Sequence, residues 1–137
     1  MSNLVAEWRD VDARTFRERI FPTGRPAVLR GSIRHWQAVV EGLKSPDALA
    51  GYLLGLDQGG PVPLITAPAS VKGKFFYRED MRSPNFERRP ASLAVGLHAL
   101  LDHLGDPAAP AIYIESAHLP DCLPTFTRFH TLELQTS

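Results

Sequence analysis

The chain has 137 residues, 44% hydrophobic and 22% charged, which suffices for one domain with a modest core and is ordinary for a soluble globular protein. Its 15 Lys+Arg balance its 15 Asp+Glu, so net charge offers nothing to a polyanion such as nucleic acid, and no apolar run approaches the ~20 residues that span a bilayer. A single cysteine, Cys122, excludes an intrachain disulfide, and MSNLVAEWRDVDARTF lacks the apolar stretch of a signal peptide, which sets the expectation of a reducing, cytoplasmic setting.

Asp10 or Asp12 is placed to cap a first short helix, with Phe16 and Ile20 stacked on its inner face and Pro22 and Gly24 ending it. Pro26–Gly31 reads as a short strand closed by glycine. Ile33, Trp36 and Val40 recur at helical spacing. Ser45-Pro46-Asp47 starts the next helix, with a capping hydroxyl and proline at the first helical position; Leu49, Tyr52, Leu53 and Leu56 form its apolar stripe. Gln58–Pro61 breaks that helix, and Val62–Thr66 follows as an extended segment whose Pro63 points to a sheet edge.

A strand over Lys74–Arg78 and a loop to Asn85 come next. Pro90 and Ser92 open a helix with Leu93, Leu97, Leu100, Leu101 and Leu104 on one face and Gly105 as its stop. In Ala111–Glu115 alternation is clean: Ile112 and Ile114 face one way, Tyr113 and Glu115 the other. Leu119–Pro124 reads as a turn, and Leu132–Leu134 as a further extended piece. The fold class is α+β, with helices early and sheet later.

Three stretches carry a resemblance in the same order: RPAVLRGSIRHW, GKFFYREDMRSPNFER and PAIYIESAHLPDCLP. From about Phe16 to Pro124 the chain resembles the N-terminal half of cupin-like Jumonji-C proteins, and more distantly the asparaginyl hydroxylase of hypoxia-inducible factor. That resemblance implies an iron(II)- and 2-oxoglutarate-dependent oxygenase. It implies that residues 1–137 are the N-terminal portion of one cupin-like domain, a helical lead-in followed by the first strands of an incomplete double-stranded β-helix barrel. In the middle stretch, Phe75 and Tyr77 would then face the core, while Met81 and Phe86 pin an ordered loop. The competing reading of that stretch is a nucleic-acid surface made by Arg78, Arg82, Arg88 and Arg89. Glu79, Asp80 and Glu87 dilute its charge and no nucleic-acid module motif accompanies it.

Oxygenases of this type hold iron with two histidines and one carboxylate, which the resemblance implies as H-x-D/E plus a later histidine. None of His35, His98, His103, His118 and His130 has an acid two residues on. No iron ligand is therefore assigned, and this chain alone is expected to be inactive and to bind neither iron nor 2-oxoglutarate. Other groupings are weaker. His98 and Asp102, with Asp106 just beyond, share a helix face that reads as solvated. His118, Asp121, Cys122 and His130 lack the paired cysteines usual in structural zinc sites. Cys122 has no nucleophile signature around it and reads as a small buried residue.

The resemblance carries over one cosubstrate contact, Tyr113, whose hydroxyl would help bind 2-oxoglutarate. Glu115 shares its face, where relatives often carry glutamine, and a carboxylate there would repel the cosubstrate unless protonated or paired. The alternative for Tyr113 is a core aromatic with a satisfied hydroxyl. For the whole chain the alternative is a non-catalytic cupin-like binding module. Open strand edges near Ile112–Glu115 and Leu132–Leu134 add an expectation of self-association into a homodimer or aggregate.

Overall fold

The computed structural model describes residues 4–134. Its N-terminal unit is built around a parallel pair, β1 (Ala6–Arg9) and β2 (Ala27–Arg30), running in register from Ala6 opposite Ala27 to Arg9 opposite Arg30. The crossover between them is helical. Asp12 caps α1 (Ala13–Thr15) by accepting from the Thr15 amide at 2.7 Å, as its sequence position predicts. The chain then widens into a π turn over Phe16–Ile20 that buries Ile20, and Gly24 ends the segment in the left-handed conformation at φ 60°. Ion pairs Glu7–Arg30 and Asp10–Arg34 span this unit on its exposed side. Sequence reading missed β1 because its partner lies a whole crossover away.

Helix α2 (Gln37–Lys44) begins after Trp36, so Ile33 falls before the helix rather than on its stripe. Helix α3 (Pro46–Leu56) starts as its residues dictate: Ser45 Oγ accepts from the Ala48 amide at 3.0 Å and Pro46 holds the first helical position. Next come β3 (Pro61–Ala67), β4 (Glu87–Ser92), α4 (Leu93–Asp102) and β5 (Ala111–Ile114). The three strands form an antiparallel sheet in the order β4–β3–β5. Ser92 caps α4 through a 3.2 Å bond from the Val95 amide, while Pro90, expected at the helix start, belongs to β4. Short helix α5 (Leu119–Cys122) lies where a turn was expected, α6 (Pro124–Phe129) follows it, and Leu132–Leu134 is not a strand.

Two expectations are corrected by the sheet. Pro63 lies in the central strand, not at an edge. It is tolerated because its backbone groups face β5 just past the last β5 partner, where its carbonyl accepts from the Glu115 amide at 3.0 Å, and toward β4 it lies opposite Pro90 with no ladder bond asked of either. Lys74–Arg78 is also not a strand; only an isolated bridge joins Tyr77 to Pro84. The Asn85 side chain takes the place of a partner strand, accepting from the Phe76 amide and donating to the Lys74 carbonyl, both at 2.9 Å. Phe75 meets Phe86 edge-on at 5.7 Å and both are half-buried, but Tyr77 is 53% and Met81 61% exposed, so those two do not anchor the loop. Asp80 does so instead, gathering the Arg82 and Ser83 amides and the Ser83 hydroxyl.

Residues paired across an antiparallel ladder project to the same face. Val62 and Leu64, both 1% exposed, therefore share one face with Ile112 and Ile114, and α4 covers it. Contact there is close: a Cβ on Gly96 would stand 2.8 Å from Ile114 Cδ1. Val62, Leu93, Cys122 and Leu123 form the centre of this core, with Leu53, Leu97 and Phe126 against it. A second cluster ties the helices to the C-terminal segment. His130, 6% exposed, stacks on Phe126 at 3.9 Å, bonds the Phe126 carbonyl through Nδ1 at 2.8 Å, and accepts the Ala38 amide on Nε2 at 3.2 Å. The Trp36 indole donates to the Thr131 carbonyl beside it. No helix among the described residues is long and apolar enough to cross a membrane.

Candidate functional site

The other sheet face carries Pro63 and Ile65 of β3, Arg88 and Pro90 of β4, and Tyr113 of β5, with Glu115 directly after the strand. Ile65 pairs with both Arg88 and Tyr113, so these three form one row across the sheet. Pro90 and Pro63 lie in the neighbouring row, and the Glu115 amide bonds Pro63. The alternation in AIYIE thus operates as the sequence implies: Ile112 and Ile114 are half-buried under α4, and Tyr113, 47% exposed, projects from the opposite side. Tyr113 is not a core aromatic. Its ring stacks on Phe75 at 6.0 Å, so the Asn85-clamped loop forms a wall beside it.

Glu115 is the other residue singled out by sequence, and the structure gives it a partner. Its Oε2 lies 2.8 Å from Arg88 Nη2, with the glutamate side chain 29% and the arginine 57% exposed. The pair is close but poorly aligned: Oε2 has essentially no surface of its own, and among the described residues no donor meets it at hydrogen-bonding angles. Arg88 is the residue sequence reasoning left out. It stood among four arginines of a charged stretch, and only strand pairing brings it across β3 to the Tyr113 side. Beside it lies a hollow of about 400 Å3 lined by Pro61, Val62, Pro63, Arg88, Arg89 and Pro90.

The remaining candidates separate. His98 and Asp102 lie exposed on α4, consistent with a solvated face. His118 pairs with Asp121 at 2.8 Å on the surface, Cys122 is buried with its thiol donating to the His118 carbonyl, and His130 is enclosed by Trp36, Tyr52 and Phe126. The four do not converge. Among the described residues no group of three His, Cys, Asp or Glu side chains is arranged to hold a metal ion. The expected leucine stripe of α4 is only partly covered: Leu100 and Leu104 open onto a shallow apolar groove of about 280 Å3 shared with Leu49 and Leu53 of α3.

An open sheet that gathers a phenol, a guanidinium and a carboxylate on one face while helices seal the other is the setting in which the family relationship becomes informative. The sequence profile of the cupin-like domain matches residues 13–137, and the chain belongs to the cupin-like domain family. No curated protein matches the chain.

Proposed function

We propose that this cupin-like chain forms the cosubstrate wall of a Jumonji-C-type iron(II)- and 2-oxoglutarate-dependent oxygenase, a hydroxylase whose iron ligands come from outside residues 1–137. The observation that carries the reading is Tyr113, which the sheet register sets on the face away from the helices, half-exposed and braced by Phe75. The residues present fit 2-oxoglutarate in part: the Tyr113 hydroxyl has no partner among the described residues and can donate to a carboxylate, and Arg88 lies beside Glu115, offsetting the repulsion that carboxylate would exert. They do not fit iron. The facial set of two histidines and a carboxylate has no counterpart among the described residues, and no step through the metal is derived from them. Here the chain's own residues bind and orient: Tyr113 donates a hydrogen bond, Phe75 limits water on one side, and Arg88 supplies the positive charge beside Glu115.

The test separates the chain from its parent. Residues 1–137 should neither retain iron(II) at micromolar concentration nor convert 2-oxoglutarate to succinate. Chelator-sensitive succinate formation by this chain would overturn the assignment of ligands elsewhere. In a longer chain carrying H-x-D/E and a later histidine, turnover is expected, and Tyr113→Phe should raise the apparent KM for 2-oxoglutarate roughly tenfold to hundredfold, the worth of one hydrogen bond to a charged group. A longer chain that has the motif and shows no turnover would favour a non-catalytic binding module.

A further inference from the structure

We propose that Arg88 is the carboxylate-receiving residue of this sheet face, and that Glu115 holds its place until a ligand carboxylate displaces it. The proposal deepens the reading above and rests on it only for the identity of the ligand, a short dicarboxylate; the anion site itself needs no metal, which departs from the expectation that this chain alone binds no such cosubstrate.

Three observations carry it. The first is placement: Arg88, Ile65 and Tyr113 form one row of the sheet, so a guanidinium and a phenol stand on the same face one strand to either side of Ile65, whose own side chain is buried. A short dicarboxylate has two anionic ends to meet the guanidinium and the hydroxyl. The second is the quality of the existing pair. A guanidinium offers a planar fork that suits a carboxylate approaching with both oxygens. Glu115 instead brings Oε2 to 2.8 Å from Nη2, shielded from water and without an aligned donor. Its attachment to the end of β5 restricts how it can approach, whereas a diffusing carboxylate is free to take the two-point geometry. The third is the surrounding chemistry. Prolines 61, 63 and 90 contribute no amide donors to the hollow beside Arg88, so its side-chain donors are the guanidiniums of Arg88 and Arg89. Exchange needs no bond breaking. The Glu115 carboxylate swings from Arg88 into solvent, where its charge is hydrated, and the ligand carboxylate takes its place.

The competing role for the pair is a clamp joining β4 to β5 across β3. Succinate, titrated into the metal-free 137-residue chain and followed by calorimetry and amide chemical shifts, distinguishes the two. Glu115→Gln removes the resident competitor and should tighten succinate binding about tenfold, with Ile65 and Tyr113 amides shifting. Arg88→Gln should abolish binding, and Arg88→Lys should retain part of it. A clamp gives a different pattern: Glu115→Gln and Arg88→Gln lower the melting temperature alike, and Glu115→Gln leaves succinate affinity unchanged or weaker. That result, or no succinate binding by any variant, overturns the proposal. Should Arg88→Gln fail to fold, Glu115→Gln alone decides. Turnover is not read, so loss of the oxygenase assignment leaves a positive result standing. Conversely, succinate indifference alongside turnover in a longer chain removes Arg88 from the site without touching Tyr113.

Discussion

Gly96→Ala on α4 tests the packing that holds the site-bearing sheet in place. Glycine within a helix costs up to about 1 kcal/mol relative to alanine, so by propensity alone the substitution should stabilise the protein. The structure reverses the sign. The new Cβ would stand 2.8 Å from Ile114 Cδ1, 3.1 Å from Ile114 Cγ1 and 3.6 Å from Leu64 Cδ1. Ile114 is β-branched in a strand and has little freedom to turn aside. Overpacking of this kind costs about 1–3 kcal/mol, which leaves a net loss of up to about 2 kcal/mol. Gly55 on α3 is the matched control, because nothing lies within 4 Å of a Cβ placed there. Gly55→Ala should gain up to about 1 kcal/mol. Urea and thermal melts of both variants should therefore move in opposite directions, each kcal/mol shifting the midpoint by about 4 °C for a chain of this size. Ile114→Val removes the clashing Cδ1; alone it should cost about 0.5–1.5 kcal/mol, and combined with Gly96→Ala it should cost less than the sum. If Gly96→Ala stabilises as much as Gly55→Ala, α4 does not pack on β5 as described.

Two further outcomes follow from side chains outside the site. Hydrogen bonds from the Ser83 hydroxyl, and then from the Arg82 and Ser83 amides, hold the Asp80 carboxyl at about 2, below its usual 3.8. Because the folded value is depressed, the turn is fully supported above pH 3.8 and loses support as pH falls toward 2; protection of the Arg82 and Ser83 amides, relative to their intrinsic exchange rate at each pH, should fall across that window, and Asp80→Asn should make that protection pH-independent. His130→Phe keeps a ring against Phe126 but removes the acceptor of the Ala38 amide and the partner of the Phe126 carbonyl, so it should cost about 2 kcal/mol or more. An unchanged melting temperature would show that the imidazole is not the tie between α2 and α6.

What could be read from the sequence is what neighbours along the chain decide. Asp12, Ser45 and Ser92 cap helices because each hydroxyl or carboxylate reaches an amide three residues on. The alternation of Ile112, Tyr113 and Ile114 foretold which side chain leaves the core, since that period belongs to any strand. What escaped was set by partners distant in sequence. FFYR has the composition of a strand, but Asn85 occupies its backbone groups first. ERRPAS looks like a solvated loop and is an edge strand, where charge and proline are tolerated on the open side. Tyr113 and Glu115 could be named because a resemblance pointed at them. Arg88 could not, because its relation to Glu115 exists only once β3 lies between their strands.

The facing prolines, Pro63 and Pro90, act as a key for strand alignment. A slide of β4 by one residue would turn Pro90 toward β3, where its missing amide leaves a carbonyl unpaired, and would swing Arg88 to the helix side. A slide by two keeps the parity and escapes that penalty. In the direction that sets Arg88 opposite Ala67 it would carry the guanidinium away from Glu115, so the ion pair resists that slide where the prolines do not. Alignment is thus encoded by one missing proton at Pro90 and, against one of the longer slides, by two opposite charges. If a ligand loosens the second of these, the first remains to hold the strands in step.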